Sequence, residues 1–188
     1  EASQFKSILS AYGAFQTHAK YGEVWVPARA TVPEGWHPYP ACNWVHTKDL
    51  GWYFNDKTEW GRIVHHYGRW THDKELGWVW VKGDEFSPGW VVWRTSEKWV
   101  GWAPLPPDQD IKEISATDFN NDKHWTFIDA KTFGRNCDGG STIVSTPPAM
   151  IRSCQPERTC IAAILMASKP EEQKRFSCTP GMLSAHLA

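Results

Sequence analysis

Three histidines recur a few residues ahead of a glycine: His18 before Gly22, His46 before Gly51 and His72 before Gly77, with His65 and His66 between the last two. Three imidazoles on one rim would suit copper, nickel or zinc. A shared ion needs every donor at about 2 Å, whereas matching positions on successive hairpins are separated by a strand spacing or more. The reading is therefore no metal and no cofactor, the repeat having copied a polar residue ahead of each turn. A glycosidase-type pair would need two carboxyls about 5–10 Å apart in a cleft. Only Glu59, beside Trp60, and Asp84 with Glu85, ahead of Phe86, lie close to aromatic residues. Asp49, Asp56, Asp73 and Glu75 fall in turns. There is no G-x-S-x-G, P-loop or dinucleotide fingerprint, and CDGGS (137–141) reads as an ordinary loop. The expectation is a protein that is not an enzyme.

Aromatic side chains offer a different chemistry. The chain has 13 tryptophans, and twelve of them lie from Trp25 to Trp102. Exposed indoles stack on the apolar face of a sugar ring while neighbouring polar groups take its hydroxyls. Tyr, Trp and Arg are equally the anchors of protein interfaces. Trp36, Tyr39, Trp44, Trp60, Tyr67, Trp90 and Trp99 each lie near a turn glycine or proline and are the candidates. Arg69 beside Trp70 and Arg94 beside Trp93 could add cation–π contacts. A protein partner or a second copy of the chain is the first expectation, and a polysaccharide the second.

The elements that must position these residues form a repeat. NWVHTKDLGWYF (43–54) aligns without gaps to RWTHDKELGWVW (69–80); FQTHAKYGEVWV (15–26) is a looser copy and VVWRTSEKWVGWAP (91–104) a degenerate one. Each reads as a β-hairpin whose turn ends on glycine, so Gly51 and Gly77 are expected at positive φ or in bulges. Strands are expected near 23–27, 43–47, 51–54, 67–71, 77–82, 90–94 and 99–103. Four such hairpins give a mainly β fold, curled into one antiparallel sheet or a small open barrel. In WVWV (78–81) both faces of the strand are apolar, so both need a cover.

Residues 1–11 read as an N-terminal arm, 12–107 as the Trp-rich domain and 108–188 as an extension, the prolines of APLPPDQD (103–110) marking the boundary. Charge balances at −1 overall, which excludes an electrostatic nucleic-acid binder as the default. The longest apolar run, 161–167, is far too short for a transmembrane segment. In HWTFIDA (124–130) the alternation of Trp125 and Phe127 predicts an extra strand or cover. Cys137, Cys154, Cys160 and Cys178 cluster where apolar periodicity is weak. They read as two disulfides of open pairing that staple a mostly irregular extension, with Cys42 left as a free thiol buried in the sheet. That pattern points to an oxidising compartment.

EVWVP (23–27), EGWHPY (34–39), NWVHTKDLGWYF, the WG…HHYGRW stretch (60–70), LGWVWV (76–81) and VGWAPLPP (100–107) follow one another in this order. Together they resemble a Trp-rich secreted domain of proteobacteria of unknown function, related to proteins with YxWGxW-type repeats. The resemblance covers residues 12–107. It implies export to the periplasm or beyond, a β-rich fold and no assigned catalytic residues. The function expected is that of a non-catalytic subunit or accessory of a bacterial envelope or extracellular assembly. A module for peptidoglycan or exopolysaccharide is the alternative, and an envelope hydrolase a more distant one.

Overall fold

The computed structural model describes the backbone of residues 2–95, 98–109, 124–134, 144–145 and 160–161, and side chains over 4–93, 98–109 and 124–134. The fold is mainly β. The chain opens with helix α1 (Ala2–Leu9) and continues as hairpin β1 (Gly13–His18) and β2 (Gly22–Pro27). A 3₁₀ turn (Ala41–Asn43) leads to hairpin β3 (Trp44–Thr47) and β4 (Gly51–Phe54), then to helix α2 (Glu59–Val64). Two further hairpins follow, β5 (Arg69–Asp73) with β6 (Gly77–Val81), and β7 (Val91–Thr95) with β8 (Trp99–Pro104). The last described strands are β9 (Thr126–Asp129), β10 (Val144–Ser145) and β11 (Cys160–Ile161).

All four expected hairpins are present, but they build neither one sheet nor a barrel. A four-stranded sheet runs β1-β2-β6-β5, a five-stranded one β10-β9-β8-β7-β11, and β3-β4 stands as a separate ribbon. The first and third hairpins join through Trp25↔Trp80, and Trp80 is in turn opposite Trp70. Directly opposed residues share a face, so Phe15, Trp25, Trp80 and Trp70 form one row across four strands. The second hairpin instead turns Trp44 and Phe54 into the core, where Trp44 meets Trp93 at 4.5 Å and Trp102 at 5.9 Å between ring centroids.

Tryptophan does two jobs in this core. Each ring removes on the order of 200 Å² from water, which short strands of small residues could not match. Four indole N–H groups also pin connecting segments: Trp25 donates to the Leu9 carbonyl at 3.0 Å, Trp70 to Val64 at 2.9 Å, Trp80 to Tyr67 at 2.7 Å and Trp102 to Tyr39 at 2.8 Å. The supposed N-terminal arm is thereby part of the fold, because Leu9 closes α1 at 0 % exposure with the Trp25 indole bonded to it.

β9 pairs with β8, as the alternation of Trp125 and Phe127 predicts, and both rings are buried. Cys42 corrects the cysteine reading. It lies in the 3₁₀ turn, is exposed, and is disulfide-bonded rather than a buried free thiol. A bond from Cys42 uses one of the four later cysteines, so those four cannot form two pairs among themselves. Their own side chains, like the loop at 137–141, lie outside the described residues.

Candidate functional site

The hairpin turns explain what the histidines do. His18 stands opposite Gly22, but His46 and His72 stand opposite Trp52 and Trp78, one residue further from their turns. A one-residue offset in a strand reverses the face, so the three do not share a rim. Among the described residues no three His, Cys, Asp or Glu side chains gather as a metal site.

His65 and Asp56, which spacing did not single out, form a buried pair. The Thr58 hydroxyl caps α2 by accepting from the Gly61 N–H at 3.1 Å, and its own O–H and N–H donate to Asp56. The other Asp56 oxygen lies 3.1 Å from His65 Nδ1. Gly61 leaves room for this, since a Cβ there would run into the Asp56 carboxyl. Burial holds the His65 pKa below its ordinary value despite Asp56, so the ring is neutral. Burial pushes Asp56 up, but the bonds from His65 and Thr58 outweigh it and hold the carboxyl low. Rings of Tyr39, Phe54 and Trp60 enclose the imidazole at 4.8, 4.6 and 6.0 Å. At 1 % exposure His65 is shut off from any substrate, and the pair is a structural one.

Most of the expected surface aromatics are core. Tyr39, Trp44, Trp60 and Trp90 are all buried, at no more than 7 % exposure. WVWV-type strands are apolar on both faces, and in β6 both are covered, Val79 on one and Trp80 on the other being fully buried while Trp78 is half-buried. Tyr39 sits in the left-handed region at φ 59. Its hydroxyl donates to the His65 carbonyl and accepts from the Trp90 N–H; burial raises its pKa well above the ordinary value. Trp36 is half-buried edge-on against Trp70 at 5.4 Å. Trp99 is half-buried in β8 with the Lys98 ammonium 5.1 Å from its ring centroid. Arg94 lies in β7, and its side chain is outside the described residues.

Two of the expected residues, Arg69 and Trp90, do come together around an opening, with Tyr67 beside it. A cleft of about 280 Å³ lies between the start of β5 and the segment that leaves β6, lined by Arg69, Lys82, Asp84, Glu85, Trp90 and Pro107 together with the backbone of Gly68 and Gly83. The Arg69 guanidinium lies 4.8 Å from the centroid of Trp90. It is fixed there by donating through Nη1 to the Pro106 and Gln109 carbonyls at 3.2 and 2.9 Å. Lys82, Asp84 and Glu85 are exposed at the rim, so two cations face two carboxylates and the cleft carries no net field for a polyanion. β5 is an edge strand. Beside the cleft, Phe86 is the one exposed large hydrophobic side chain among the described residues, meeting Tyr67 edge-on at 5.7 Å, and Tyr67 touches Phe5 at 5.1 Å.

Residues 6–109 match a family of unknown function, DUF6600. The chain belongs to the DUF6600 family. The match takes in the second half of α1, all four hairpins and the whole cleft, and ends at Gln109, whose carbonyl holds Arg69. The DUF6600 region therefore contains the residues that shape the cleft, while β9 adds to its sheet from outside. No curated protein and no solved structure matches the chain.

Proposed function

We propose that this protein is an exported, non-catalytic binding domain, an accessory of a bacterial envelope or extracellular assembly, which takes an extended segment of a partner protein in the Arg69–Trp90 cleft. The observation that carries this reading is the fixed guanidinium over Trp90 at the open end of edge strand β5. An edge strand offers backbone groups to an incoming strand, and an adjoining pocket selects its side chain. Arg69 is already held by two carbonyls, so its fork costs little further ordering when a ligand arrives. Asp84 and Glu85 would accept from a basic or amide-bearing side chain of that segment. The exposed yet disulfide-bonded Cys42 supports export, because such bonds persist in oxidising compartments. Burial of the indoles argues against a broad apolar subunit face, since Phe86 is the lone exposed large hydrophobic among the described residues.

A glycan is the second reading, favoured by one feature: Phe86 and Tyr67 form a ledge beside two carboxylates. One experiment separates the two. Random extended peptides displayed on phage are selected against the protein, and the selected peptides and a peptidoglycan-fragment panel are titrated by calorimetry. Peptide binding weakened at least tenfold by Asp84→Lys with Glu85→Lys supports the first reading. Sugar binding lost in the same variant supports the second. Binding that ignores the variant, or no binding of either class, overturns both.

A further inference from the structure

We propose that His72 and His124, closing over Trp78, hold one copper ion at the surface. His72 lies in β5 opposite Trp78 of β6, and His124 arrives from the segment that leads into β9. Ring centroids are 5.2 Å apart for His72 and Trp78, 4.9 Å for Trp78 and His124, and 5.4 Å for His72 and His124. An imidazole that binds a metal through nitrogen at about 2.0–2.1 Å puts the ion about 3 Å from its ring centroid, and the centre of this triangle lies about 3 Å from all three rings. At this spacing each imidazole can turn a nitrogen toward one ion between them, which then rests against the indole, where cation–π attraction adds to ligation.

Two neutral imidazoles with solvent completing the shell is a donor set that copper takes best among the divalent first-row metals. His72 is exposed and His124 half-buried, so an ion reaches the centre from solvent. Each imidazole spends one nitrogen on the metal and keeps the other for a hydrogen-bond partner, as bound histidines ordinarily do. The fold supplies its own control. His46 and Trp52 make the same pair on the second hairpin at 5.2 Å, but the third ring there is Phe133, 4.4 Å from Trp52. One side of the molecule thus has two imidazoles around an indole, and the other has one.

Copper(II) chloride in a non-coordinating morpholine-sulfonate buffer is titrated into the full chain while tryptophan emission and the electron paramagnetic resonance spectrum are recorded. One equivalent should quench emission, with a spectrum showing two nitrogen donors. His72→Ala should weaken binding at least about tenfold, and so should His124→Phe, which keeps a ring in place as at Phe133. His46→Ala should leave binding unchanged, and Trp78→Phe should remove most of the quenching. Copper binding that survives His72→Ala and His124→Phe, or that falls equally in His46→Ala, would overturn the site. So would no binding by the natural chain at micromolar copper.

Discussion

His18 and Asp73 occupy equivalent positions on the first and third hairpins, 55 residues apart, and each caps its own turn while touching the other. His18 Nδ1 accepts from the N–H groups of Lys20 and Tyr21 at 3.1 and 3.3 Å; Asp73 Oδ1 accepts from those of Glu75 and Leu76, both at 2.8 Å. The remaining atoms, His18 Nε2 and Asp73 Oδ2, meet at 3.4 Å. With Nδ1 accepting, the ring proton sits on Nε2 and is donated to Asp73. Thr47 fills the same place on the second hairpin, its hydroxyl accepting from Leu50 at 3.1 Å. The repeat therefore copies a turn-capping acceptor, one residue along from the shared histidine of the second and third hairpins.

The amides of Leu76 and Glu75 hold the Asp73 carboxyl below its ordinary value, with His18 adding less. Asp73→Ala should accordingly lower the urea midpoint more than Asp73→Asn, whose side-chain oxygen still accepts from the turn. Equal midpoints for the two variants would mean that the His18 contact, not the cap, is what stabilises the turn.

Two turn-region glycines should respond differently to alanine. Gly77 has φ 75 and open space where a Cβ would stand, so Gly77→Ala costs only backbone strain of about 1 kcal/mol. Gly68 has φ 64, and its Cβ would run into the Val81 carbonyl and lie 2.8 Å from the Trp80 ring. Gly68→Ala should cost about 3 kcal/mol or more, since strain and overpacking add. Denaturant melts of the two variants check the order.

Stability should fall as the solution is acidified from pH 7.5 to 5. Burial lowers the pKa of both His65 and His66. Their stabilising contribution is complete above the unfolded value of about 6.5. Below it the unfolded chain takes protons that the folded chain refuses, at up to about 1.4 kcal/mol per pH unit for each ring. Asp56 acts in a separate window: its lowered pKa makes its contribution disappear only below about pH 4. A urea midpoint that is flat between pH 7.5 and 5 would contradict neutral buried histidines.

Cys42 should resist alkylation in the denatured, unreduced protein and react after reduction. Peptide mapping would show it directly, and a Cys42 labelled without reductant would remove the support that the bond lends to export.

The hairpins are legible in the sequence because glycine must stand where φ turns positive, at 66° for Gly51 and 75° for Gly77, while the other turn residues vary. Which hairpins pair is not legible. Alternation tells which residues share a face, but not that β2 would choose β6, more than 50 residues on. The cleft is half legible: Arg69 and Trp90 carry a cation and a ring near turn residues, yet their contact is set by the Pro106 and Gln109 carbonyls far along the chain. The burial of Trp44 is hidden because an apolar strand does not reveal which face meets water, and that of Trp60 and Trp90 because they stand in helix α2 and just before β7, outside the strand pattern. The Asp56–His65 pair is hidden because a helical turn brings together residues nine apart.

The proposed partner meets the cleft beside Trp90 rather than an indole surface. The most direct measurement is a titration of the selected peptide into protein labelled with ¹⁵N, following the indole N–H signals. Trp90, whose N–H is held by the His66 carbonyl at 3.1 Å, should shift progressively with peptide, while the half-buried rings of Trp36, Trp52 and Trp99 stay in place. Shifts at those three with Trp90 unmoved would contradict the cleft and return the binding role to the aromatic surface.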